Sequence, residues 1–414
     1  MSTSFPMATA SRAAVRRLAL ARLISLTGGA AAYLALNYVI YQRTGSATWV
    51  AAALFLTFGT VGFVSPFAGA LGDRFDRQRV MIASDVTAAV CFFGMALVHD
   101  PGLLLVFAFF SAAAEAPFLS ASSAAIPNLV GEEHLGWANG MVSLGRNAGI
   151  LLGPLLGGLL MASIGAGAVF ALNAVSFLVS AALVTTVQGR FSGQRDGAQE
   201  HRGLRAGFRF LFTDRVLRTI SLSWLTLVLG LGMTMVADVP LVKLFDAGSF
   251  GYGVLIACWG GGSIVGSLLG RRLKSSTEGP WLLIAIGAIA ATSVITGVSP
   301  WFALVLGAIL VMGVGDGVSL VAEQGIMQRR TPDAVRSRVS GAFDAVVHIG
   351  MAISYVIAGP AVSWLGARGV YIMGGGAAFV GVFIAVPIVK ATRAVRVPGG
   401  KSSQGTEAAG LLVP

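Results

Sequence analysis

Six acidic side chains fall inside long apolar runs: Asp85, Glu115, Asp238, Asp316, Glu323 and Asp344. A carboxylate kept from water is costly while charged, and taking up a proton relieves that cost. Such groups can therefore couple proton uptake to the binding or release of another ligand. Glu115 is the first candidate, near the middle of its run with Ser111 at i−4 and Pro117 beside it. Asp316 is the second, followed by Asp238 and Glu323. Asp316, Ser319 and Glu323 share one helix face, as do Asp344 and His348 at i and i+4. Arg146 is a natural partner for a carboxylate or for an anionic group on a ligand. Ser25, Gly29, Tyr33, Asn37 and Tyr41 recur every four residues and form a polar, aromatic stripe. That stripe fits one wall of a polar cavity, to which Trp224 is added; it also fits helix packing with a few hydrogen bonds. Asp85 reads as a partner for a loop arginine, and Arg22 as a side chain that snorkels to the membrane surface.

The elements that position these groups follow from composition. Of 414 residues, 55% are hydrophobic and 11% charged, with 55 glycines. Soluble domains carry about 25% charged residues. A bilayer crossing takes about 20 apolar residues. Twelve such runs occur, at 18–42, 47–71, 80–98, 102–126, 138–162, 166–187, 217–242, 250–270, 281–298, 301–327, 339–363 and 369–389. They are called spans 1 to 12 below. The expected fold is an all-α membrane protein of twelve transmembrane helices in two pseudo-symmetric six-helix halves. Its parts are an N-tail (1–17), a first half (18–187), a linker (188–216), a second half (217–390) and a disordered tail (391–414). Within the linker, Phe208, Phe210, Leu211 and Phe212 mark an amphipathic helix lying on the membrane surface.

The net charge of +11 is distributed by loop. Arginines and lysines gather at 12–17, 74–79, 190–218, 271–274, 329–338 and from 390 onward, and the intervening loops hold only Arg43, Lys243 and Arg368. Alternation of this kind is the positive-inside pattern; it places both termini in the cytoplasm and argues against nucleic acid as the partner. The first apolar run is too long for a signal peptide. Both cysteines, Cys91 and Cys258, lie inside spans, so no disulfide framework is expected. There is no GxxxxGK[ST] loop, HExxH, GxSxG elbow or metal-spaced Cys/His cluster, which makes an enzyme the weaker class and leaves no cofactor implied. The Gly313-x-Gly315-x-Gly317 run lies inside a span, where a dinucleotide loop does not belong.

The second half repeats the first. A shift of 201 residues places Arg17 on Arg218, Asn37 on Asp238, Gly69 on Gly270, Glu115 on Asp316 and Gly140 on Gly341. Gly153-Pro154 pairs with Gly359-Pro360 after five inserted residues. Carboxylates at matching positions of two halves point to a water-filled central pathway.

Span 5 carries Gly149-x3-Gly153-Pro154-x2-Gly157-Gly158. Glycines four apart let a neighbouring helix approach, and the proline bends the segment. With Gly69-x3-Asp73-Arg74-x2-Arg77-x-Arg79 after span 2, and Ile126-Pro127-Asn128-Leu129-Val130 leading into span 5, the sequence resembles the major facilitator superfamily over essentially its whole length. The loop is similar to that family's loop 2–3 motif, with Asp76 in a glycine position; the second half has Gly270-Arg271-Arg272-x-Lys274 and no acid there. The span 5 stretch is similar to the motif of drug:proton antiporters, and Ile126-Pro127-Asn128-Leu129-Val130-x4-Leu135-x3-Asn139 before it is similar to a branch containing bacterial macrolide and siderophore exporters. The resemblance implies alternating access and proton-driven efflux of a hydrophobic or amphiphilic small molecule by a monomer in the bacterial inner membrane. It assigns Gly69, Asp73, Arg74, Arg77 and Arg79 to a cytoplasmic gate and the glycine-proline helix to the interface between halves. Uptake by symport, or a receptor or scaffold that does not transport, are the alternatives.

Overall fold

The computed structural model describes residues 9–61, 63–64, 74–130, 134–187, 191, 204–332 and 335–393. Gly69 and Asp73, most of the linker and the tail beyond 393 lie outside the described residues. The described residues contain no β-strand, and nine of their helices are long and apolar enough to cross a membrane. Two of those nine are pairs of spans joined at a single glycine. Leu135–Thr185 holds spans 5 and 6 and folds at Gly165; Arg336–Arg393 holds spans 11 and 12 and folds at Gly366. The short apolar helix at Ala47–Gly59 is span 2. The chain therefore has the twelve-helix fold expected.

Span 1 runs from Thr9 to Thr44. The segment 9–17, expected as part of a polar tail, is helical instead. Its Ala14 and Val15 are buried with Leu18 and Ala21 against Met81, Phe118 and Val184, and this burial stabilises the extra turns. Span 2 contains a π-helical turn at Phe55–Gly59. Span 3, Arg77–Leu97, is capped by Asp76, whose Oδ1 accepts from the Arg79 amide at 3.0 Å. The residue that stands in a glycine position of the loop motif thus starts a helix. Span 4 is Pro101–Val130 and span 7 is Arg215–Leu244. Spans 8, 9 and 10 are Gly248–Gly270, Glu278–Val298 and Phe302–Arg330.

The linker helix, Leu204–Thr213, packs Gly207 against the Arg338 carbonyl of span 11 and buries Leu211, while Phe212 stays exposed. It is amphipathic, as expected, and its buried face is taken up by protein.

The repeat is written into the backbone. Left-handed residues end span 1 at Gly45 (φ 62) and span 7 at Asp246 (φ 51), and they turn the chain at Gly165 (φ 83) and Gly366 (φ 69). Each pair is separated by the same 201 positions, so no insertion interrupts the second half between Asp246 and Gly366. The pairing of Gly153-Pro154 with Gly359-Pro360 is therefore corrected. The structural mate of Gly359 is Gly158. A Cβ on Gly158 would stand 2.8 Å from the Ser249 carbonyl oxygen of span 8, and one on Gly359 would stand 2.8 Å from the Thr48 Cα of span 2. Thr48 and Ser249 are themselves 201 apart. The halves are thus joined along two symmetric seams, span 5 on span 8 and span 11 on span 2. Gly149, Gly153 and Gly157 face the other way, onto the span 1 backbone from Leu23 to Ala31.

Candidate functional site

Between the halves lies a cavity of about 580 Å³. Its wall is mainly apolar, with Leu26, Phe92, Met95, Val228, Met312 and Met351 among its residues, and it contains Asp85, Glu115, Asp238, Asp316 and Arg22. Tyr33, Trp224, Trp259 and Tyr371 also line it. Each charge comes from a different span, which is how an apolar bundle can gather polar groups around one cavity.

In the first half, Arg22 lies within electrostatic reach of Glu115 and Asp85, with its guanidinium 5.1 Å from the Phe118 ring centre. Arg22 is only 6% exposed. It does not snorkel. Span 1 begins nine residues before the expected start, so Arg22 lies well inside the helix. Asp85 likewise faces Arg22 and Ser180 rather than a loop arginine. Arg146, expected as the basic partner, is exposed and repels Arg22 instead.

In the second half, Asp316 Oδ2 accepts from Ser263 Oγ of span 8 at 3.0 Å. The Tyr371 hydroxyl of span 12 donates to Asp238 Oδ1. Asp238 is near Tyr33 of span 1 and Tyr252 of span 8, and both tyrosines also feel Asn37. Tyr38 stacks on Tyr252 with ring centres 6.5 Å apart, and Phe58 lies 6.3 Å from Tyr355. This aromatic layer crosses from one half to the other at the end of the bundle remote from the arginine-rich loops. The glycine seams lie at the same end. Near the arginine-rich end, Cβ positions on Gly140 of span 5 and Gly341 of span 11 meet nothing within 4 Å.

Not every candidate reaches the cavity. Asn37 is buried in the aromatic layer behind Tyr33, and Tyr41 packs under Lys243, whose Nζ is 5.5 Å from its ring centre. Glu323 is buried outside the cavity wall, within reach of the Asp344 charge. Asp344 and His348 are exposed, and His348 Nδ1 lies 2.7 Å from the Asp344 carbonyl oxygen. The i, i+4 contact ties the His348 ring to the backbone of its own helix, and neither residue lines the cavity. Sequence reasoning missed Arg22, Asp85, Trp259 and Tyr371 as cavity residues. The shared offset could not reveal Arg22, whose equivalent is Ser223.

At the arginine-rich end, Arg77 Nη1 donates to the Phe191 carbonyl at 3.2 Å, and Arg74 lies 5.9 Å from the Phe75 ring centre. In the second half, an acid does stand at the corresponding end: Glu278 opens span 9 and pairs with Arg329 of span 10. The sequence concealed it because Glu278 matches Arg77, not Asp73, at the common offset.

Two six-helix halves around a central cavity with a few buried charges form a carrier for small molecules. The chain belongs to the Major Facilitator Superfamily, whose family model matches residues 18–343. It is a multi-pass membrane transporter and not an enzyme. It is similar to the enterobactin exporter EntS of Escherichia coli O1:K1 / APEC, at 26% identity over 362 residues covering 84% of each chain. The same identity and coverage hold for EntS of Shigella boydii serotype 18 (strain CDC 3083-94 / BS512). Among solved structures, the nucleoside transporter NupG superposes with a TM-score of 0.76 at 12% identity, covering 91% of this chain and 99% of that one. A bacterial homologue of the iron transporter ferroportin, in its inward-facing state, gives 0.66 at 18% identity, covering 90% and 98%. These likenesses show the fold.

Proposed function

We propose that this protein exports a hydrophobic or amphiphilic small molecule across the bacterial inner membrane in exchange for protons, by alternating access. One observation carries the direction of transport: the chain aligns over 84% of its length with proteins named as exporters. The positive-inside pattern puts the arginine-rich end in the cytoplasm. The seams and the aromatic layer close the opposite end, which supports loading of the cavity from the cytoplasmic side. Glu115 is the proton carrier, with Arg22 and Asp85 as its charged neighbours. Ionised Glu115 is held by Arg22; protonation frees Arg22 to change partner and lowers the cost of moving the cluster through an apolar interface. Asp73 and the arginines from 74 to 79 form the cytoplasmic gate, and Gly149 to Gly158 the helix that meets the other half.

The test uses everted membrane vesicles and a labelled lipophilic compound. Export predicts gradient-driven accumulation that Glu115→Gln abolishes. Gradient-driven depletion would instead establish uptake, and undiminished accumulation by the Glu115→Gln variant would remove that residue from coupling.

A further inference from the structure

Glu115 and Asp316 hold equivalent positions in the two halves, yet their surroundings differ by one charge. Glu115 has the Arg22 guanidinium in its own half. The position equivalent to Arg22 is Ser223, a buried side chain whose Oγ donates to the Gly381 carbonyl at 2.9 Å. Asp316 has Ser263 as a donor, and no basic side chain among the described residues pairs with it. Among the described residues, the cavity wall has four carboxyl groups and one basic group. Asp85 and Glu115 both lie within electrostatic reach of Arg22. In the second half Asp238 accepts from Tyr371 and Asp316 from Ser263, both neutral hydroxyls, and neither carboxyl has a counter-charge among the described residues.

The wall near Asp316 is aromatic. Spans 8 and 10 touch backbone to backbone, with Gly313 against the Trp259 carbonyl and Gly317 against the Ser263 carbonyl. This contact holds Trp259 and Asp316 on adjoining helices, both facing the cavity, with Trp224 in the same wall. Indole faces attract cations, and a carboxylate in a low-dielectric wall gains most from a partner of opposite charge.

We infer that the substrate supplies the charge the second half lacks. It is a monocationic amphiphile whose amine or quaternary group seats against Asp316 beside Trp259 and Trp224. Its apolar body occupies the methionine- and phenylalanine-lined remainder of the cavity. The substrate's cation takes, in the second half, the place that Arg22 holds in the first. An anion of the same shape meets an excess of carboxylates. This inference rests on the small-molecule carrier reading above and adds the charge class of its cargo.

Two probes of nearly equal size and opposite charge test it: tetraphenylphosphonium and tetraphenylborate. Each is titrated onto the full-length protein in lipid nanodiscs while tryptophan fluorescence is followed, with empty nanodiscs as the baseline. The phosphonium is expected to bind saturably and the borate not at all above baseline. Asp316→Asn is expected to weaken phosphonium binding by about 30-fold, the loss typical of removing one partner of a buried charge pair. Asp316→Glu keeps the charge and is expected to retain binding. Gel filtration and circular dichroism verify the fold, and Asp316→Ser replaces the asparagine variant if that one does not fold. Equal binding of both probes, preference for the borate, or unchanged phosphonium affinity in the folded variants would overturn the inference. No ion gradient is present in this assay, so its outcome is independent of transport direction and of Glu115.

Discussion

Gly157 and Gly158 are neighbours with different duties, and one methyl group on each separates them. On Gly158 the new carbon would lie 2.8 Å from the Ser249 carbonyl oxygen and 3.0 Å from the Gly253 Cα, both across the seam between halves. Carbon–carbon contacts prefer about 3.5–4.0 Å, so spans 5 and 8 must part by roughly half an ångström or more. Overpacking of this kind costs about 1–3 kcal/mol. Only the conformation with the seam closed bears that cost, so Gly158→Ala is expected to raise the far-end-open population by about 5- to 150-fold. On Gly157 the methyl would lie 2.6 Å from the Ala31 Cα, within one half. It should lower thermal stability without changing the balance between conformations. The assay is a spin-label distance between positions Gln42 and Pro300, both exposed at the far end on opposite halves, in a background lacking Cys91 and Cys258. A Gly158→Ala distribution identical to the unsubstituted protein, or an equal shift for Gly157→Ala, would refute the reasoning.

Three further outcomes are expected. Arg329→Ala should lower stability by about 1 kcal/mol, since Arg329 is half exposed, and Glu278→Gln in the same chain should recover part of the loss because a buried carboxylate is then no longer stranded; a double-mutant cycle of melting temperatures measures this. Asp214→Ala removes an N-cap whose Oδ1 accepts from the Val216 and Leu217 amides at 2.8 and 2.9 Å, and hydrogen exchange should show the first turn of span 7 loosened by about 1 kcal/mol. Gly165 has φ 83 and ψ 166, a conformation essentially confined to glycine, so Gly165→Ala and Gly366→Ala should each cost about 1–3 kcal/mol in thermal unfolding, with clearly unequal losses arguing against equivalent turns.

The spans, their halves and the offset between them were legible because hydropathy and loop charge act over twenty residues at a time. The offset also pairs four of the left-handed residues, Gly45 with Asp246 and Gly165 with Gly366, although Gly248 has no left-handed mate. It failed where a local identity overrode it: two Gly-Pro dipeptides suggested an insertion, whereas the seam contacts align Gly158 with Gly359. Arg22 was misjudged for a related reason. Its depth depends on where span 1 begins, and the polar residues from Thr9 to Arg17 conceal turns that tertiary burial of Val15 and Leu18 sustains. Glu115 and Asp316 could be named from sequence since carboxylates in apolar runs stand out. Trp259 and Tyr371 could not, because aromatics are common in spans and only packing shows which ones face a cavity.

The glycine reversals at Gly165 and Gly366 bear on how the chain is made. Each joins two spans with almost no loop, so very little polar segment accompanies the pair across the bilayer. The second pair brings one guanidinium, Arg368, which ends 5.5 Å from the Phe245 ring centre. The first brings none, since no charged residue occurs between Arg146 and Arg190. Under the positive-inside rule the orientation of spans 5 and 6 therefore rests on the basic residues that flank the pair, with none in the turn between them.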